Sequence, residues 1–480
     1  MTVTTPVTWP ISRLAQLLSA RTLSPVELTE MYLRRIEELQ PRLNAFITVT
    51  AEQALSSARQ AETELAHGII RGPLHGIPLT LKDLIDTAGI RTTAGSKMFA
   101  SRRPTADATV VRKLAEAGAI LLGKTNLHEF AFGTTSINEH YGAVRNPWNP
   151  ELIAGGSSGG SAAAVIAGLC AASVGTDTGG SIRIPASACG CVGLKPTYGR
   201  ISRHGVFPLS WSMDHVGPIA RTVQDAAILL ETLAGHDPAD PTSSRIQVET
   251  YGSSIALAPD NVRLGICRDS LFENLHPEVE RCFQQAVSLL EERFGSVREI
   301  RWPLLKQVLL LGNVISFAEA ASVHEEWVRK QPEDYSREVL SRLRLGMTFM
   351  ATDYLRGQRI RSQLLTQGEE VFREIDLLVY PTLPFAGARI GANNVSIGDG
   401  EEDIRVASIR LNRLGNLTGY PAISIPCGLT SQHLPVGLQL MAAPFRETQL
   451  LQVAHWYELE TAWHESEQWS VVGGALDGKQ

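Results

Sequence analysis

The sequence has few cysteines, no block of basic residues and no long apolar run. Six cysteines among 480 residues are too few and too scattered for a disulfide framework, and we interpret them as buried free thiols. The net charge is -6 and no cluster of Lys and Arg forms a nucleic-acid footprint, so we expect no nucleic-acid partner. The longest stretch of small apolar residues, 162–174, is too short to cross a bilayer, so we expect no membrane partner.

Metal-binding and targeting patterns are also absent. The twelve histidines do not recur at ligand spacing, and His128-Glu129 lacks a second histidine one helical turn later. His215 is interpreted as a structural hydrogen-bonding residue. We therefore expect neither a metal nor a cofactor. The first ten residues lack the apolar region of a signal peptide, and from this we expect a cytoplasmic protein.

Hydrophobic periodicity alternates between helical and strand patterns, which predicts an α/β fold with helices over a mixed sheet. Residues 1–70 predict an N-terminal helical segment packed on the core. Residues 71–480 predict one catalytic domain, in which residues 276–375 form a mostly helical cap. Within the cap, one helix is predicted from Tyr335 to Arg373, and the tail from Val471 is predicted to be frayed.

Two Gly/Ser-rich loops are the most informative feature of the chain. The first covers residues 155–161 and the second residues 175–185. Glycine runs let backbone N–H groups approach a ligand closely. A serine among such groups can combine a nucleophile with a site that stabilises an oxyanion. The pair of loops predicts a serine hydrolase centre.

Two common motifs also occur in this part of the chain. Residues 118–125 match the P-loop pattern, but a helix is predicted before them and a buried strand within them, which is the reverse of the order that a P-loop needs. Gly-x-Ser-x-Gly occurs twice in the first loop, around Ser157 and around Ser158. That pattern is typical of a nucleophile elbow, although no strand is predicted before it.

A lysine that precedes these loops in the sequence by more than seventy residues is a candidate base. A short apolar strand at 77–81 ends at Lys82. A buried lysine loses its charge readily and can then act as a base. The alternative is a surface lysine paired with the adjacent Asp83.

Taken together, these segments resemble the amidase signature family. The similarity covers about residues 10–235 and resumes weakly over 375–460. The segments that carry it are 76–83, 123–130, 146–148, 155–196 and 214–218. The resemblance implies a central mixed, twisted β-sheet covered by helices on both faces.

The resemblance also implies a Ser–cisSer–Lys triad. By position, Ser181 corresponds to the nucleophile that forms an acyl-enzyme, Ser157 to the bridging serine after a cis peptide bond, and Lys82 to the base. The backbone amides expected to bind the oxyanion belong to Thr178, Gly179, Gly180 and Ser181. Residues expected to support the triad are Ser158, Asp177 and Arg183.

Three functions remain open within this family. The main prediction is a stand-alone hydrolase of amides, with anilides, esters and carbamates as further substrates and a urethane hydrolase as one specialised form. The second is the glutaminase-type subunit of a tRNA amidotransferase, and the third is a binding protein without catalysis. Residues 354–361 resemble the amidotransferase helix that ends in a carboxylate-binding arginine, here Arg361. Against this, residues 323–327 depart from that subfamily, and so does His215.

The substrate pocket is the least determined part of the site. We expect a small-molecule amide, ester or carbamate as the partner, and a homodimer stays an open alternative. Aromatic residues near the predicted site could line the acyl or leaving-group pocket, or belong to the core; they are Phe132, Phe207, Trp211 and Phe317.

Overall fold

The computed structural model describes residues 6–257, 259, 261–269 and 271–463. The predicted frayed tail lies outside the described residues. The strands are β1 Phe46–Val49, β2 Pro78–Lys82, β3 Ile120–Thr125, β4 Ala172–Asp177, β5 Val192–Lys195, β6 His215–Ala220, β7 Leu264–Cys267, β8 Arg298–Ile300, β9 Leu377–Pro381, β10 Asn394–Ile397, β11 Gly400–Asp403, β12 Ala422–Leu429 and β13 Pro435–Ala442.

The α-helices within these residues precede, separate and follow the strands. They are α1 Ile11–Ser19, α2 Pro25–Leu43, α3 Ala51–Ala66, α4 Thr109–Glu116, α5 Gly159–Ile166, α6 Arg183–Cys189, α7 Val223–Leu233, α8 Tyr251–Ser254, α9 Pro277–Phe294, α10 Val308–Lys330, α11 Arg337–Gly346, α12 Ala351–Glu374, α13 Ile404–Arg410, α14 Arg413–Thr418 and α15 Glu447–Thr461. Among them, none is both long enough and apolar enough to cross a membrane.

Eleven of the described strands form one mixed sheet in the order β1-β3-β2-β4-β6-β5-β12-β13-β9-β7-β8. The central strands β2, β4, β6 and β13 are buried along their whole length. A strand that is covered on both faces reads as a continuous apolar run, and this explains the short apolar runs in the sequence. The predicted α/β class and mixed sheet are confirmed.

The N-terminal segment differs from the helical prediction in one element. After α2, which is capped by Asn44 in a left-handed conformation, residues Phe46–Val49 form β1 and pair antiparallel with β3. Residues 1–70 therefore supply an edge strand as well as helices. Four residues are too few for periodicity to separate a strand from a loop.

The predicted helical cap is also interrupted. The single helix expected from Tyr335 to Arg373 is two helices, α11 and α12, separated at Met347–Met350. A Cβ on Gly346 would lie 2.1 Å from the carbonyl oxygen of Phe317, so α11 ends where it packs directly on α10. Strand β8 in the same segment joins the edge of the sheet.

Helix α5 packs closely against the backbone that follows β3 and the backbone that precedes β1. A Cβ on Gly160 would lie 2.4 Å from the carbonyl oxygen of Asn126 and 2.5 Å from that of Ala45. These neighbours are backbone atoms, which cannot rotate out of the way. Only glycine allows this approach.

We expect Gly160→Ala to lower the free energy of unfolding by about 1–3 kcal/mol, because the added methyl group must displace backbone. Gly400→Ala is the matched control, since no atom lies within 4 Å of the position of its Cβ. Denaturant unfolding of both variants measures the difference. An unchanged midpoint for Gly160→Ala would contradict the close packing of α5.

Candidate active site

The carboxyl ends of three neighbouring strands meet at one edge of the sheet. Strand β2 pairs in parallel with both β3 and β4, so Lys82, Thr125 and Asp177, their last residues, lie on the same side. Ligands of such sheets bind in the crevice beyond these ends. The first Gly/Ser loop reaches this edge, because Nζ of Lys82 donates a hydrogen bond to Oγ of Ser157 at 2.7 Å.

Lys82 is completely buried and is held by hydroxyl groups. Besides Ser157, its Nζ contacts Oγ1 of Thr176 at 2.8 Å, and no carboxylate of the described residues forms an ion pair with it. Burial lowers the pKa of Lys82 to about 7, against the opposing charges of Asp177 and Asp214. A substantial fraction of the amine is therefore neutral near pH 7, as a proton acceptor requires.

Asp83 does not pair with Lys82. Its Oδ2 accepts hydrogen bonds from the N–H and the hydroxyl of Thr93, and its Oδ1 lies 3.7 Å from Nζ of Lys124. The surface ion pair considered from the sequence is thus not formed, because Lys82 and Asp83 are both buried and hold different partners.

Lys124, from the P-loop pattern, lies inside β3 and has a structural role. Its Nζ donates to the carbonyl oxygen of Ile85 at 2.5 Å and to Oγ1 of Thr92 at 2.9 Å. Helix α4 precedes this strand. The segment therefore holds the chain that follows Lys82 and does not form a phosphate loop, in agreement with the interpretation of the sequence.

The first Gly/Ser loop contains a cis peptide bond between Gly156 and Ser157, as the family resemblance implies. No strand leads directly into this loop, since Ile153 forms only an isolated bridge. The geometry of a nucleophile elbow, which is strand, turn and helix, is not present. Ser158 instead ties the two loops together: its Oγ donates to the carbonyl oxygen of Thr176 at 3.1 Å, and its N–H to that of Ser181 at 3.2 Å.

The second loop is fixed from inside by a fully buried ion pair. Nη2 of Arg183 lies 3.0 Å from Oδ1 of Asp177. Burial opposes ionisation of this carboxyl, but the guanidinium of Arg183 holds the pKa of Asp177 well below its usual range. Arg183 also donates to the side chains of Gln439 and Asn416. The pair thereby anchors the loop to β13 and α14.

The predicted oxyanion donors divide into two groups. The N–H of Gly180 donates to Oδ1 of Asp177 at 2.7 Å, and this residue does not line the cavity beside the loop. Thr178, Gly179 and Ser181 do line it. Gly180 is thus a correction to the sequence-based prediction: its N–H has a structural partner because Asp177 closes the turn.

The cavity beside Ser181 has a volume of about 450 Å³. The rings of Phe132 and Phe317 form part of its wall, with centroids 5.0 Å apart and planes at 86°. Within the described residues, no hydrogen bond joins Oγ of Ser181 to Oγ of Ser157. Such contacts are often long without substrate and shorten when it binds. The structure therefore brings Lys82 and Ser157 into contact and places Ser181 at the cavity.

The other predicted pocket residues are placed differently. Phe207 and Trp211 line a smaller neighbouring cavity of about 180 Å³. Arg361 lines neither cavity, because its Nε and Nη2 donate to the carbonyl oxygens of Leu417 and Ser212 at 2.7 and 2.8 Å. The proposed grip of Arg361 on a substrate acid is therefore corrected: this guanidinium joins α12 to two backbone segments.

Sequence reasoning missed all four charged residues of the main cavity, which are Arg342, Asp403, Arg405 and, packed on the second loop, Arg413. Arg413 lies in α14, far along the chain from both loops, and no motif marks it. Asp214 was also not singled out; it accepts a hydrogen bond from the hydroxyl of Thr178 at 2.6 Å. His215 has the structural role expected, since its Nδ1 contacts the carbonyl oxygen of Met213 at 2.7 Å. Across the described residues, no group of three or more His, Cys, Asp or Glu side chains is arranged to hold a metal ion.

Comparisons with known proteins extend over almost the whole chain. The family model described as Amidase matches residues 27–451. A glutamyl-tRNA(Gln) amidotransferase subunit of Thermosynechococcus vestitus is 39% identical over 95% of this chain and 99% of that protein. A crystal structure of an amidase is 37% identical, with a TM-score of 0.86, and covers 94% of this chain and 100% of its own.

One further solved structure has a TM-score of 0.91 at 33% identity. It is described as a vestigial protein complex that reveals the evolutionary origins of an s-triazine catabolic enzyme, and it covers 94% of this chain and 98% of its own. These similarities give no support to the urethane hydrolase alternative.

A fluorophosphonate probe is expected to label Ser181. This serine lines the cavity, whereas Ser157 and Ser158 are fully buried and hydrogen-bonded. Mass spectrometry of the digested protein locates the label, and Ser181→Ala serves as the control that abolishes it. A label on Ser157 or Ser158 would restore the nucleophile-elbow interpretation.

The rate of this labelling is expected to rise with pH to a plateau, with a midpoint near 7. Burial lowers the pKa of Lys82 to about 7, so below that pH the amine is protonated and cannot accept a proton. Lys82→Met should slow labelling and remove this inflection. A midpoint near that of an ordinary lysine, or the same inflection in Lys82→Met, would exclude Lys82 as the base.

Proposed function

The chain belongs to the amidase family, and on that premise we propose that it hydrolyses the C–N bond of a small amide through an acyl-enzyme on Ser181. One observation carries the proposal. Lys82 is buried without a carboxylate partner among the described residues, and its Nζ contacts Oγ of Ser157 at 2.7 Å. This contact lies at the end of the sheet where Ser181 lines a cavity. Because this lysine forms no ion pair with a carboxylate of the described residues, its neutral amine can accept a proton and serve as the base of the reaction.

The first half of the proposed reaction forms an ester. Oγ of Ser181 attacks the amide carbonyl carbon while its proton passes to Ser157, and the proton of Ser157 passes to Lys82. The oxyanion accepts hydrogen bonds from backbone N–H groups of Gly179 and Ser181. The C–N bond then breaks, and the proton held by Lys82 returns through Ser157 to the leaving nitrogen.

The second half releases the acid. Water attacks the ester carbon and gives its proton to Lys82 through Ser157. The bond from carbon to Oγ of Ser181 then breaks, and the proton returns to Ser181. Each proton that enters the relay leaves it, so the enzyme is regenerated without a cofactor.

A second candidate function is the glutaminase step of an amidotransferase. The curated relative from Thermosynechococcus vestitus, which this chain matches over nearly its whole length, is named as a subunit of such an enzyme. This similarity favours the subunit over the stand-alone amidase that the sequence patterns favoured. In that role the amide would be the side chain of glutamine, and the chain would work within a complex.

The purified chain tests both functions when it is assayed for ammonia release from glutamine and from simple primary amides. We expect hydrolysis by the isolated chain that Ser181→Ala abolishes. Glutamine as the only substrate hydrolysed, with a rate that rises when amidotransferase partner subunits are added, would identify the subunit. No hydrolysis of any amide, with or without partners, would overturn the proposed chemistry.

A further inference from the structure

Arg413 places a buried guanidinium in the wall of the Ser181 cavity, and the proposed reaction does not use it. Its side chain is nearly inaccessible to solvent, at 4% exposed. A Cβ on Gly179 would lie 3.1 Å from both Cζ and Nη1 of Arg413. The guanidinium therefore packs directly on the loop that carries the nucleophile, two residues before Ser181.

The hydrogen-bond partners of this guanidinium are weak. Nη1 contacts Oγ of Ser316 at 3.4 Å and Nη2 contacts Oδ1 of Asn313 at 3.3 Å, both beyond the usual range. Its Nε has no partner in the part of the chain that the structure describes. A buried guanidinium has five N–H donors, and leaving them without acceptors costs free energy.

The other charges at the cavity are already paired. Arg342 and Arg405 both contact Glu338, at 2.5 and 3.2 Å, and Arg405 also lies 3.9 Å from Asp403. Arg413 has no such acid among the described residues and remains an uncompensated cation.

Its charge persists at neutral pH. Burial lowers the pKa of Arg413 to about 10, with a smaller lowering by Arg342 and an opposing effect of Asp177. That value still lies well above 7, so the guanidinium is protonated near neutral pH, where the amine of Lys82 becomes able to accept a proton.

We propose that Arg413 binds a carboxylate of the substrate, so that the amides hydrolysed are small carboxylated amides; this rests on the proposed reaction at Ser181. The planar guanidinium presents paired donors that match a carboxylate in a bidentate arrangement. The cavity of about 450 Å³, with Phe132 and Phe317 in its wall, suits a short carbon chain between the two polar ends. Glutamine and succinamate both have this form.

Succinamate and butyramide are primary amides with the same number of carbon atoms, and only succinamate carries a carboxylate. Comparing them measures what the carboxylate contributes to recognition. Wild-type kcat/KM should be about 10- to 100-fold higher for succinamate than for butyramide, the range expected for a charged hydrogen-bonded pair. Arg413→Met should bring the ratio of kcat/KM for the two amides close to one, and Arg413→Lys should keep part of the preference for succinamate. Equal kcat/KM for the two amides, unchanged in Arg413→Met, would overturn the carboxylate site and leave the proposed reaction intact.

Thermal unfolding separates recognition from a structural role. Removal of an unpaired buried charge should leave the melting temperature of Arg413→Met unchanged or raised. A large drop in melting temperature, with the preference for succinamate retained in Arg413→Lys and Arg413→Gln alike, would make Arg413 a structural residue.

Binding provides a readout that does not depend on turnover. Succinate should slow fluorophosphonate labelling of wild-type Ser181 but not of Ser181 in Arg413→Met, and calorimetry should show the same loss of succinate affinity. Failure of labelling and of all hydrolysis, with succinate binding that Arg413→Met removes, would reject the proposed reaction and keep the carboxylate site. Absence of succinate binding to the wild-type protein would reject the site.

Discussion

The removal of Lys82 from water without a carboxylate partner is the constraint on which the site depends. A carboxylate in contact with this amine would raise its pKa and keep it protonated. The two acids whose charges act on this amine have other partners. Asp177 pairs with Arg183, and Asp214 accepts hydrogen bonds from the hydroxyl of Thr178 and the N–H groups of Leu209 and Ser210. The lysine is left with hydroxyl groups, which tolerate either protonation state.

The same hydrogen bonds position Ser181, the proposed nucleophile. Asp177 ends β4 and accepts the N–H of Gly180, so the turn that presents Ser181 is closed by the acid that is kept away from Lys82. Ser158 then joins this turn to the loop that carries Ser157. Lys82, Ser157 and Ser181, the proposed base, bridging serine and nucleophile, are thereby held by one continuous set of buried hydrogen bonds, which begins at the carboxyl ends of parallel strands.

Local sequence patterns predicted those elements whose conformation is determined by residues close together in the sequence. The two Gly/Ser loops, the strand ending at Lys82 and the mixed sheet were all predictable, because period and glycine content mark them directly. Strand β1 and the break after α11 were not, since four residues carry no period and the break depends on contact with α10. The position of Arg413 at the cavity and the hydrogen-bond partners of Arg361 could not be predicted for the same reason. Both depend on contacts between segments that are distant in sequence.

The pKa of Lys82 is the quantity that tests the proposed base most directly. Protein labelled with ¹³C at lysine Cε can be titrated by NMR, and the Lys82 signal assigned by its absence in Lys82→Met. Lys124, whose pKa burial lowers to about 8, provides a second shifted signal for comparison. We expect a midpoint near 7 for Lys82. A Lys82 that titrates like an exposed lysine would show that the amine is protonated at neutral pH, and the proposed base would be lost.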